Sequence, residues 1–399
     1  MHEDQLLSSY NYELPESHIA QVPSIPAHSA KMMICSIDQK GNCKTKDQIF
    51  FDLTESLNSN YLLFLNRTKV FKARIPLHKV KIIRKSGKEI QLLEGEIFVY
   101  AIQSQTEFEC LVSDSKNFKP GTKILFNSTT TLHSLHFTEN GILFKIEGDQ
   151  IFSFLEKIWE MPLPPYISYE KEKEKRYQTF FAEEIGSAAA PTASLHFTPE
   201  LVKKLEEKKI WFQYLCLHVG LGTFKPIYEE HITDQKLHFE PMLLDIQIWE
   251  TIAEAKKAGK IFLPIGTTMI RYLESLPYIW KFLKKKNLTP PIDPTTKDRR
   301  DQLTATIDET LVDEFIPEQE ISDLKNIIAI KTRLFIRPWI PFYLTDELIT
   351  NFHLPKSSLM MLISAFIGRK NLLKCYQEAI DKNYKFYSFW DWMWIKKEA

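Results

Sequence analysis

Apolar and polar positions alternate in short runs between about residues 70 and 155, which is the pattern of antiparallel strands. Glu107 to Val112 and Leu143 to Ile146 carry the clearest alternation, as expected for strands with one buried face. The turn signals that divide the runs are Ser86-Gly87, Pro120-Gly121 and Asn140-Gly141. This segment therefore predicts a sheet of half-buried strands.

Helix and strand patterns alternate on both sides of this segment, as they do in α/β domains. Thr198-Pro199-Glu200 combines an N-cap, a proline at the first helical position and an acidic residue at the positive helix end. It predicts a helix through Lys209. The same reasoning predicts strands at 211–219, 260–265 and 334–336, a helix at 269–276, and an apolar helix at 359–367 that Gly368 ends.

Polar loops rich in His, Thr and small residues follow several of these elements. Ala188 to Thr198 must run extended before Pro191, because the residue before a proline avoids the α region. Gly266-Thr267-Thr268 places amides and hydroxyls at a helix N-terminus, where anions or ribose hydroxyls bind. The other two loops are Leu217 to Phe224 and Thr350 to Ser358. We expect these loops to carry chemistry, although a structural role fits His196 equally well.

Composition and charge agree with a soluble cytoplasmic protein. The 399 residues are enough for two domains, and Lys plus Arg equal Asp plus Glu at 51 each, so no generic affinity for nucleic acid is expected. The cysteines are odd in number, widely scattered and never in a CxxC spacing, which suggests neither a disulfide framework nor a thiolate zinc site. The N-terminus does not have the pattern of a signal peptide, and apolar runs stay below the ~20 residues of a membrane span.

Residues 277–326 look like an insertion. They contain a lysine run, several prolines and then an acidic half, a composition that is usually solvated and mobile. A flap that contacts RNA is one possible role for it.

The loops, together with motifs elsewhere, resemble the S-adenosylmethionine:tRNA ribosyltransferase-isomerase family of queuosine biosynthesis. The further motifs are Tyr12-Glu13-Leu14-Pro15, Ile19-Ala20-Gln21, Leu65-Asn66, Ala73-Arg74, Pro162 to Ile167, Arg176-Tyr177-Gln178-Thr179, and Tyr384 to Phe389 with Asp391. The resemblance implies an α/β domain made of residues 1–69 and 156–399, with an antiparallel β-barrel domain inserted at 70–155.

The resemblance also implies a reaction. The ribosyl group of S-adenosylmethionine is transferred to 7-aminomethyl-7-deazaguanine at the wobble position of a tRNA with a GUN anticodon, and is isomerised to give epoxyqueuosine. Adenine and methionine leave. No metal and no cofactor beyond this co-substrate is expected, and we expect a monomer. Because the sulfonium acidifies the neighbouring carbon, the reaction needs a base for that carbon and a hydrogen-bond donor for adenine; one such group contributes roughly 10²–10⁴-fold.

Candidate residues follow from these needs. We predict His196, Glu240 and His353 as the catalytic acids and bases, with His238 on the same strand face as Glu240. Neutral or cationic donors suit adenine, ribose and carboxylate. The predicted substrate-binding residues are Asn66, Thr68, Arg74, Thr192, His218, Thr223, Phe224, His238, Thr267, Thr268, Arg271, Asn351, Lys356 and Asp391. Arg271 fits a charge on a helix surface equally well.

The chain departs from the family pattern at several positions. Arg67 stands where the family carries Asp, and Ser194, Trp339 and Trp390 stand where it carries Gly. Lys31 replaces an Arg and loses the bidentate fork. These changes leave open a non-catalytic tRNA-binding relative. A hydrolase that uses Ser194 beside His196 is the other alternative, although a nucleophile-elbow context is missing.

A local basic surface would have to supply the affinity for tRNA. Its candidates are Lys69, Lys72, Arg74, Lys79, Lys81, Arg84 and Lys85. Phosphate contacts by such a group make binding dependent on salt. The plainer alternative is that these residues only solvate the outer face of the barrel.

Overall fold

The computed structural model is a mixed α/β structure, and it describes residues 3–138, 141–158, 160–164, 167, 170–220, 227–288, 307–321, 326–386 and 391–398. The strands are β1 (Lys31–Ile37), β2 (Cys43–Ile49), β3 (Tyr61–Asn66), β4 (Thr68–Val70), β5 (Arg74–Pro76), β6 (Lys81–Ile83), β7 (Glu89–Ile90), β8 (Glu96–Ile102), β9 (Glu107–Val112), β10 (Lys123–Leu125), β11 (Thr131–Phe137), β12 (Ile142–Glu147), β13 (Glu184–Ser187), β14 (Trp211–Leu217), β15 (Glu240–Asp245), β16 (Ile261–Pro264), β17 (Ile327–Thr332), β18 (Leu348–Asn351) and β19 (Trp392–Lys397). The α-helices are α1 (Leu53–Ser56), α2 (Ile151–Ile158), α3 (Lys171–Arg176), α4 (Pro199–Glu207), α5 (Ile248–Lys257), α6 (Thr267–Lys285), α7 (Glu309–Phe315), α8 (Ser358–Ile367) and α9 (Arg369–Asp381).

A five-stranded sheet in the order β16-β3-β14-β15-β17 forms the centre of the α/β part. The strands β16, β3 and β14 are parallel, and β15 and β17 continue the sheet antiparallel. Because parallel strands end at the same edge, the loops after β3, β14 and β16 meet there. Two of the four polar loops identified in the sequence, those after β14 and β16, begin at this edge.

A second, four-stranded sheet in the order β18-β19-β1-β2 joins this edge. An isolated parallel bridge pairs Ile265, just after β16, with Ile349 in β18. The amide of Gly266 donates to the carbonyl of Ile349 at 2.7 Å. As a result, the start of α6 and the end of β18 lie side by side.

The predicted antiparallel sheet is present as a curled half-barrel of eight strands in the order β5-β8-β9-β12-β11-β10-β6-β7. It has its own core, which includes Ile97, Phe108 and Phe144, each buried. The predicted strands at 107–112 and 143–146 are confirmed as β9 and β12. Strand β4 comes directly before β5, the first strand of the half-barrel, and pairs in parallel with β13, which follows the half-barrel in the chain.

Local capping predictions are confirmed. The Thr198 side chain accepts a hydrogen bond from the amide of Leu201 at the start of α4, whose first residue is Pro199. The predicted helix at 359–367 is α8, and Gly368 follows it with φ of 82°. The strands predicted at 211–219 and 260–265 are β14 and β16, each slightly shorter than expected.

Three expectations are wrong. The helix predicted at 269–276 continues through Pro277 as α6, so 277–285 is helical and largely buried as far as Leu283, with Lys284 and Lys285 exposed. Pro277 removes one helical hydrogen bond, but Tyr278, Ile279 and Leu283 are fully buried and hold the helix in the core. Residues 334–336 form no strand; they are buried without pairing because β17 has already ended at Thr332. His238 lies before β15, which begins at Glu240.

Candidate functional site

A cavity lies where the two α/β sheets meet. All four predicted loops contribute to its walls: the turn after β13, the residue Val219 after β14, the start of α6 and the end of β18. The lining residues are Ala189 to Ala193, Val219, Gly266 to Thr268, Thr350 to Leu354, Ser357 and Leu359. The structure therefore brings Thr192, Thr267, Thr268, Asn351 and His353 together, as expected for one site.

Neutral hydrogen-bonding groups connect the cavity walls. The Thr192 hydroxyl donates to Oδ1 of Asn351 at 3.0 Å. Nδ2 of Asn66 donates to the Leu217 carbonyl at 2.9 Å and lies 3.4 Å from Oγ1 of Thr268. Amide and hydroxyl dipoles, without a carboxylate among the lining residues, suit a ligand with hydroxyl groups.

The start of α6 gives the cavity a positive helix end. Gly266 precedes the helix with φ of 87°, and a Cβ there would lie 2.7 Å from Cβ of Ala193. A glycine is therefore required for both conformation and space. The first turn of this 19-residue helix faces the cavity through Thr267 and Thr268, so an anionic group of a ligand is favoured at this position.

Two tyrosines fix the backbone of His353. The Tyr12 hydroxyl donates to the His353 carbonyl, and the His353 amide donates to the Tyr376 hydroxyl at 2.9 Å. The His353 ring contacts the Thr350 hydroxyl through Nε2 at 2.8 Å. Burial lowers the pKa of His353 to about 3, so its imidazole is neutral at physiological pH.

His218 belongs to a hydrogen-bonded chain next to the cavity. The Val219 amide donates to the Ser187 hydroxyl at 2.8 Å, Ser187 and Thr68 share a hydrogen bond of 2.7 Å, and Thr68 lies 2.8 Å from Nδ1 of His218. This chain links the Val219 amide to the His218 ring through two buried hydroxyls and holds the ring in place. Burial lowers the pKa of His218 to about 4, which agrees with a neutral ring.

Glu240 is held in an ion pair and does not line the cavity. Its fully buried carboxylate pairs with Arg271 of α6, and Nε2 of His238 lies 3.4 Å away. Burial lowers the pKa of Arg271 to about 10, and the guanidinium still remains charged at neutral pH. The structure thus places His238 near Glu240, as expected, and adds Arg271 to the pair. Arg271 is buried, so the alternative of a helix-surface charge is wrong.

His196 lies in an aromatic cluster. Its ring is 4.9 Å from the Trp392 ring and 6.0 Å from the Phe50 ring, measured between centroids. It is buried and absent from the cavity lining, and its catalytic role stays a prediction. Ser194 is fully buried, and its hydroxyl has no hydrogen-bond partner among the described residues. The structure gives no support to a Ser194 nucleophile.

Three other predicted binding residues lie apart from the cavity lining. Arg74 forms an ion pair with Glu96 at 2.8 Å in the half-barrel, and Lys356 is exposed. Asp391 accepts hydrogen bonds from the amides of Lys31 and Lys385, each at 2.7 Å. Burial raises the pKa of Asp391 to about 6. Thr223 and Phe224 lie outside the described residues.

Comparison with known proteins identifies the family. The family described as "Queuosine biosynthesis protein" matches residues 7–395. The chain belongs to this family.

Similar proteins cover nearly the whole chain. An S-adenosylmethionine:tRNA ribosyltransferase-isomerase of a Nostoc species is 35% identical over 99% of this chain and 93% of its own. The enzyme of that name from Thermosipho melanesiensis is 36% identical over 96% of this chain and 97% of its own. The crystal structure of S-adenosylmethionine tRNA ribosyltransferase from Thermotoga maritima is 26% identical over 97% of this chain and 99% of its own, with a TM-score of 0.47.

The departures from the family pattern are accommodated in different ways. The Arg67 guanidinium lies 3.5 Å from the carboxylate of Glu183 and 3.6 Å from that of Glu184, so two acidic neighbours compensate its charge. Trp339 is partly exposed, with the Arg337 guanidinium 5.5 Å from its ring. Trp390 lies outside the described residues.

The basic group on the half-barrel is partly neutralised. Arg74 pairs with Glu96, Lys79 pairs with Glu160, and Lys81 lies 3.0 Å from Glu89. The Nζ of Lys72 donates to the Glu156 carbonyl at 3.1 Å. Such pairs reduce the local positive field, and the exposed Lys81–Glu89 pair contributes little to stability. Among the described residues, no helix is long and apolar enough to cross a membrane.

Sequence reasoning missed two sets of residues. Tyr376 and Ser187 support His353 and His218, but neither stands in a recognisable motif, and only the tertiary contact shows their role. The structure also brings Cys35, Cys43 and Cys375 together, with their sulfur atoms all within 4.8 Å of one another. The sequence spacing, which suggested neither a disulfide framework nor a thiolate zinc site, did not reveal this cluster.

Proposed function

We propose that this protein is an S-adenosylmethionine:tRNA ribosyltransferase-isomerase. It transfers the ribosyl group of S-adenosylmethionine to 7-aminomethyl-7-deazaguanine at the tRNA wobble position and isomerises it to give epoxyqueuosine, with release of adenine and methionine. The observation that carries the proposal is the cavity of neutral donors at the start of α6, found in a chain that belongs to the queuosine biosynthesis family. Both substrates are large, so positioning them in register supplies much of the rate.

The donor fits the cavity through its polar groups. The methionine carboxylate is placed at the start of α6, where the helix end and the hydroxyls of Thr267 and Thr268 favour an anion. The ribose hydroxyls are placed against Thr192 and Asn351, which already form a hydrogen bond across the cavity.

His353 is the group we place at the carbon next to the sulfonium. Of the three predicted catalytic residues, it is the one that lines the described cavity. Its low pKa keeps the ring free of a proton, so a lone pair is available, but the same low pKa limits the driving force for proton transfer. His196 and Glu240 then act behind the cavity wall, and Glu240 does so through Arg271.

The tRNA partner is placed on the half-barrel side. In this proposal residues 70–155 form an inserted domain, and its basic group binds the anticodon stem-loop of a tRNA with a GUN anticodon, which offers its flipped wobble base. The chain acts as a monomer in the cytoplasm, and S-adenosylmethionine is needed as co-substrate with no further cofactor.

The test is a reconstituted reaction with S-adenosylmethionine and tRNA that carries 7-aminomethyl-7-deazaguanine. Mass analysis of the wobble nucleoside and detection of free adenine should both report turnover. The single-turnover rate of His353→Ala should fall at least ~10²-fold, within the range for a general acid or base, and that of His196→Ala should also fall, because His196 packs behind the cavity wall. Tight tRNA binding without adenine release would favour the non-catalytic relative, and near-normal rates in both variants would refute the catalytic assignment.

A further inference from the structure

Three thiols from distant parts of the chain meet on one face of the four-stranded sheet. Cys35 in β1 pairs with Thr45 in the β1–β2 ladder, so Cys43, two residues away, lies diagonally on the same face. Cys375 comes from α9, and its sulfur is 3.3 Å from that of Cys43. All three side chains are buried, and their sulfur atoms lie within 4.8 Å of one another.

Hydrogen bonds on both sides of the thiols hold α9 against the β1–β2 hairpin. Nδ2 of Asn371, one turn before Cys375, donates to the Gly41 carbonyl at 2.8 Å. The Thr45 hydroxyl donates to Glu378, about one turn after Cys375. At the helix end, Nζ of Lys382 contacts Asp47 of β2 at 2.8 Å. The three sulfur atoms are thus fixed in place before any ligand binds.

The spacing of the sulfur atoms suits a thiophilic metal ion. A Zn–S bond of about 2.3 Å places thiolates roughly 3.8 Å apart in a tetrahedral site, and small side-chain rotations reach this value from the observed spacing. Cysteine thiolates select Zn²⁺ and Cu⁺ over the hard cations. We propose that Cys35, Cys43 and Cys375 bind one thiophilic d¹⁰ cation that links α9 to the β1–β2 hairpin.

The two candidate ions use the site differently. Among the described residues, no fourth His, Cys, Asp or Glu joins the three sulfur atoms. Zn²⁺ would therefore take a water molecule as its fourth ligand, on the side of Cys43, which retains 7% exposure. Cu⁺ needs only the three thiolates. The third thiol favours a metal site over a simple disulfide, because a disulfide would use two of the three.

The site lies behind the proposed active cavity but does not form part of it. Cys375 precedes Tyr376, whose hydroxyl accepts the hydrogen bond from the His353 amide. A bound ion would restrain the helix that positions Tyr376. The metal site can be tested by metal binding and by protein stability, and neither measurement depends on the proposed reaction.

The experiment uses the full chain, purified under reducing conditions and freed of metal by chelation. Zn²⁺ and, anaerobically, Cu⁺ are titrated separately, with competition by a chelator and elemental analysis after gel filtration. One ion per chain is expected for one of the two metals, with a rise in Tm on binding. Co²⁺ in place of Zn²⁺ should give a thiolate charge-transfer band in the near ultraviolet.

Variants distinguish the site from adventitious binding. Cys43→Ala and Cys375→Ala should weaken binding by more than ~100-fold, because loss of a ligand exceeds the effect of an outer-shell change. Cys110→Ala, at a buried thiol in the half-barrel core, should bind like wild type. The proposal is overturned if wild type binds no tighter than Cys375→Ala, or if non-reducing peptide maps of freshly isolated protein show a Cys43–Cys375 disulfide and no metal.

Discussion

Acidification should destabilise the protein through its two neutral histidines. Nδ1 of His218 forms a hydrogen bond with the Thr68 hydroxyl, and the partly buried His353 ring contacts the Thr350 hydroxyl. Burial lowers the pKa of His218 to about 4 and that of His353 to about 3. Below the ordinary histidine pKa of about 6.5 the unfolded chain therefore binds more protons than the folded one. The stability is complete above that pKa and is lost as the pH falls towards the folded values.

The size of the effect follows from these pKa values. At pH 5 an unfolded imidazole is almost fully protonated, whereas the folded rings are largely neutral, so each histidine costs about 2 kcal/mol relative to pH 8. Asp391 acts in the opposite direction, because burial raises its pKa to about 6. As the pH falls, its carboxyl binds a proton in the folded state at a higher pH than in the unfolded chain. This raises the free energy of unfolding by about 1 kcal/mol between pH 8 and pH 5. Substitution of one histidine at a time separates its contribution to the pH dependence of stability from those of the other groups.

The assay is urea unfolding at pH 8 and pH 5, with ring NMR titration of the histidines. His218→Gln should show about 2 kcal/mol less acid destabilisation than wild type, and the wild-type His218 resonance should not titrate above pH 5. His136→Gln, at an exposed position of β11, is the matched control and should retain the wild-type pH dependence. An unchanged pH dependence in both His218→Gln and His353→Gln, or a His218 pKa near its ordinary value, would refute the reasoning.

Three further outcomes are expected. Gly186→Ala places a Cβ about 2.5 Å from the His218 ring, so the ring must move. The value of kcat/KM should then fall by ~10-fold or more. A wild-type value would contradict the predicted role of His218 in substrate binding. Glu240→Gln leaves the buried Arg271 guanidinium without a charged partner and should lower the free energy of unfolding in urea by about 3–5 kcal/mol. The double variant Glu240→Gln with Arg271→Met should recover most of this loss. If it does not, the unpaired guanidinium is not the cause of the destabilisation. Lys81→Glu with Arg84→Glu should weaken tRNA binding and reduce its salt slope by about 1 per residue, whereas Lys40→Glu on the β1–β2 turn should not; salt-independent binding by wild type would dismiss the basic surface.

Features set by neighbouring residues could be predicted from the sequence. The cap at Thr198, the helix stop at Gly368 and the alternation in β9 each depend on contacts within a few residues, and all three are confirmed. The polar loops could also be identified, because each interrupts the apolar periodicity of the elements beside it and carries His, Thr and small residues. For the cavity this was enough to bring Thr192, Thr268 and Asn351 together.

Features decided by distant contacts could not be predicted. Pro277 reads as a helix end, yet burial of the following turn in the main core continues α6 past it. The apolar run Leu334 to Ile336 has the pattern of a strand. Its residues are buried without strand pairing, so the apolar pattern reflects burial only. Cys35, Cys43 and Cys375 meet only because α9 packs on the β1–β2 hairpin, which no spacing along the chain records.

The bridge between Ile265 and Ile349 explains which predicted residues reached the cavity. It aligns the end of β16 with β18, so residues immediately after either strand face the same space. Thr267, Thr268 and His353 follow these strands at once and line the cavity, whereas His196 comes after the turn at Thr192–Ser194 and has already entered the aromatic core. Proximity to a strand end, more than residue chemistry, therefore separates the groups that can touch a substrate from those that act through a neighbour.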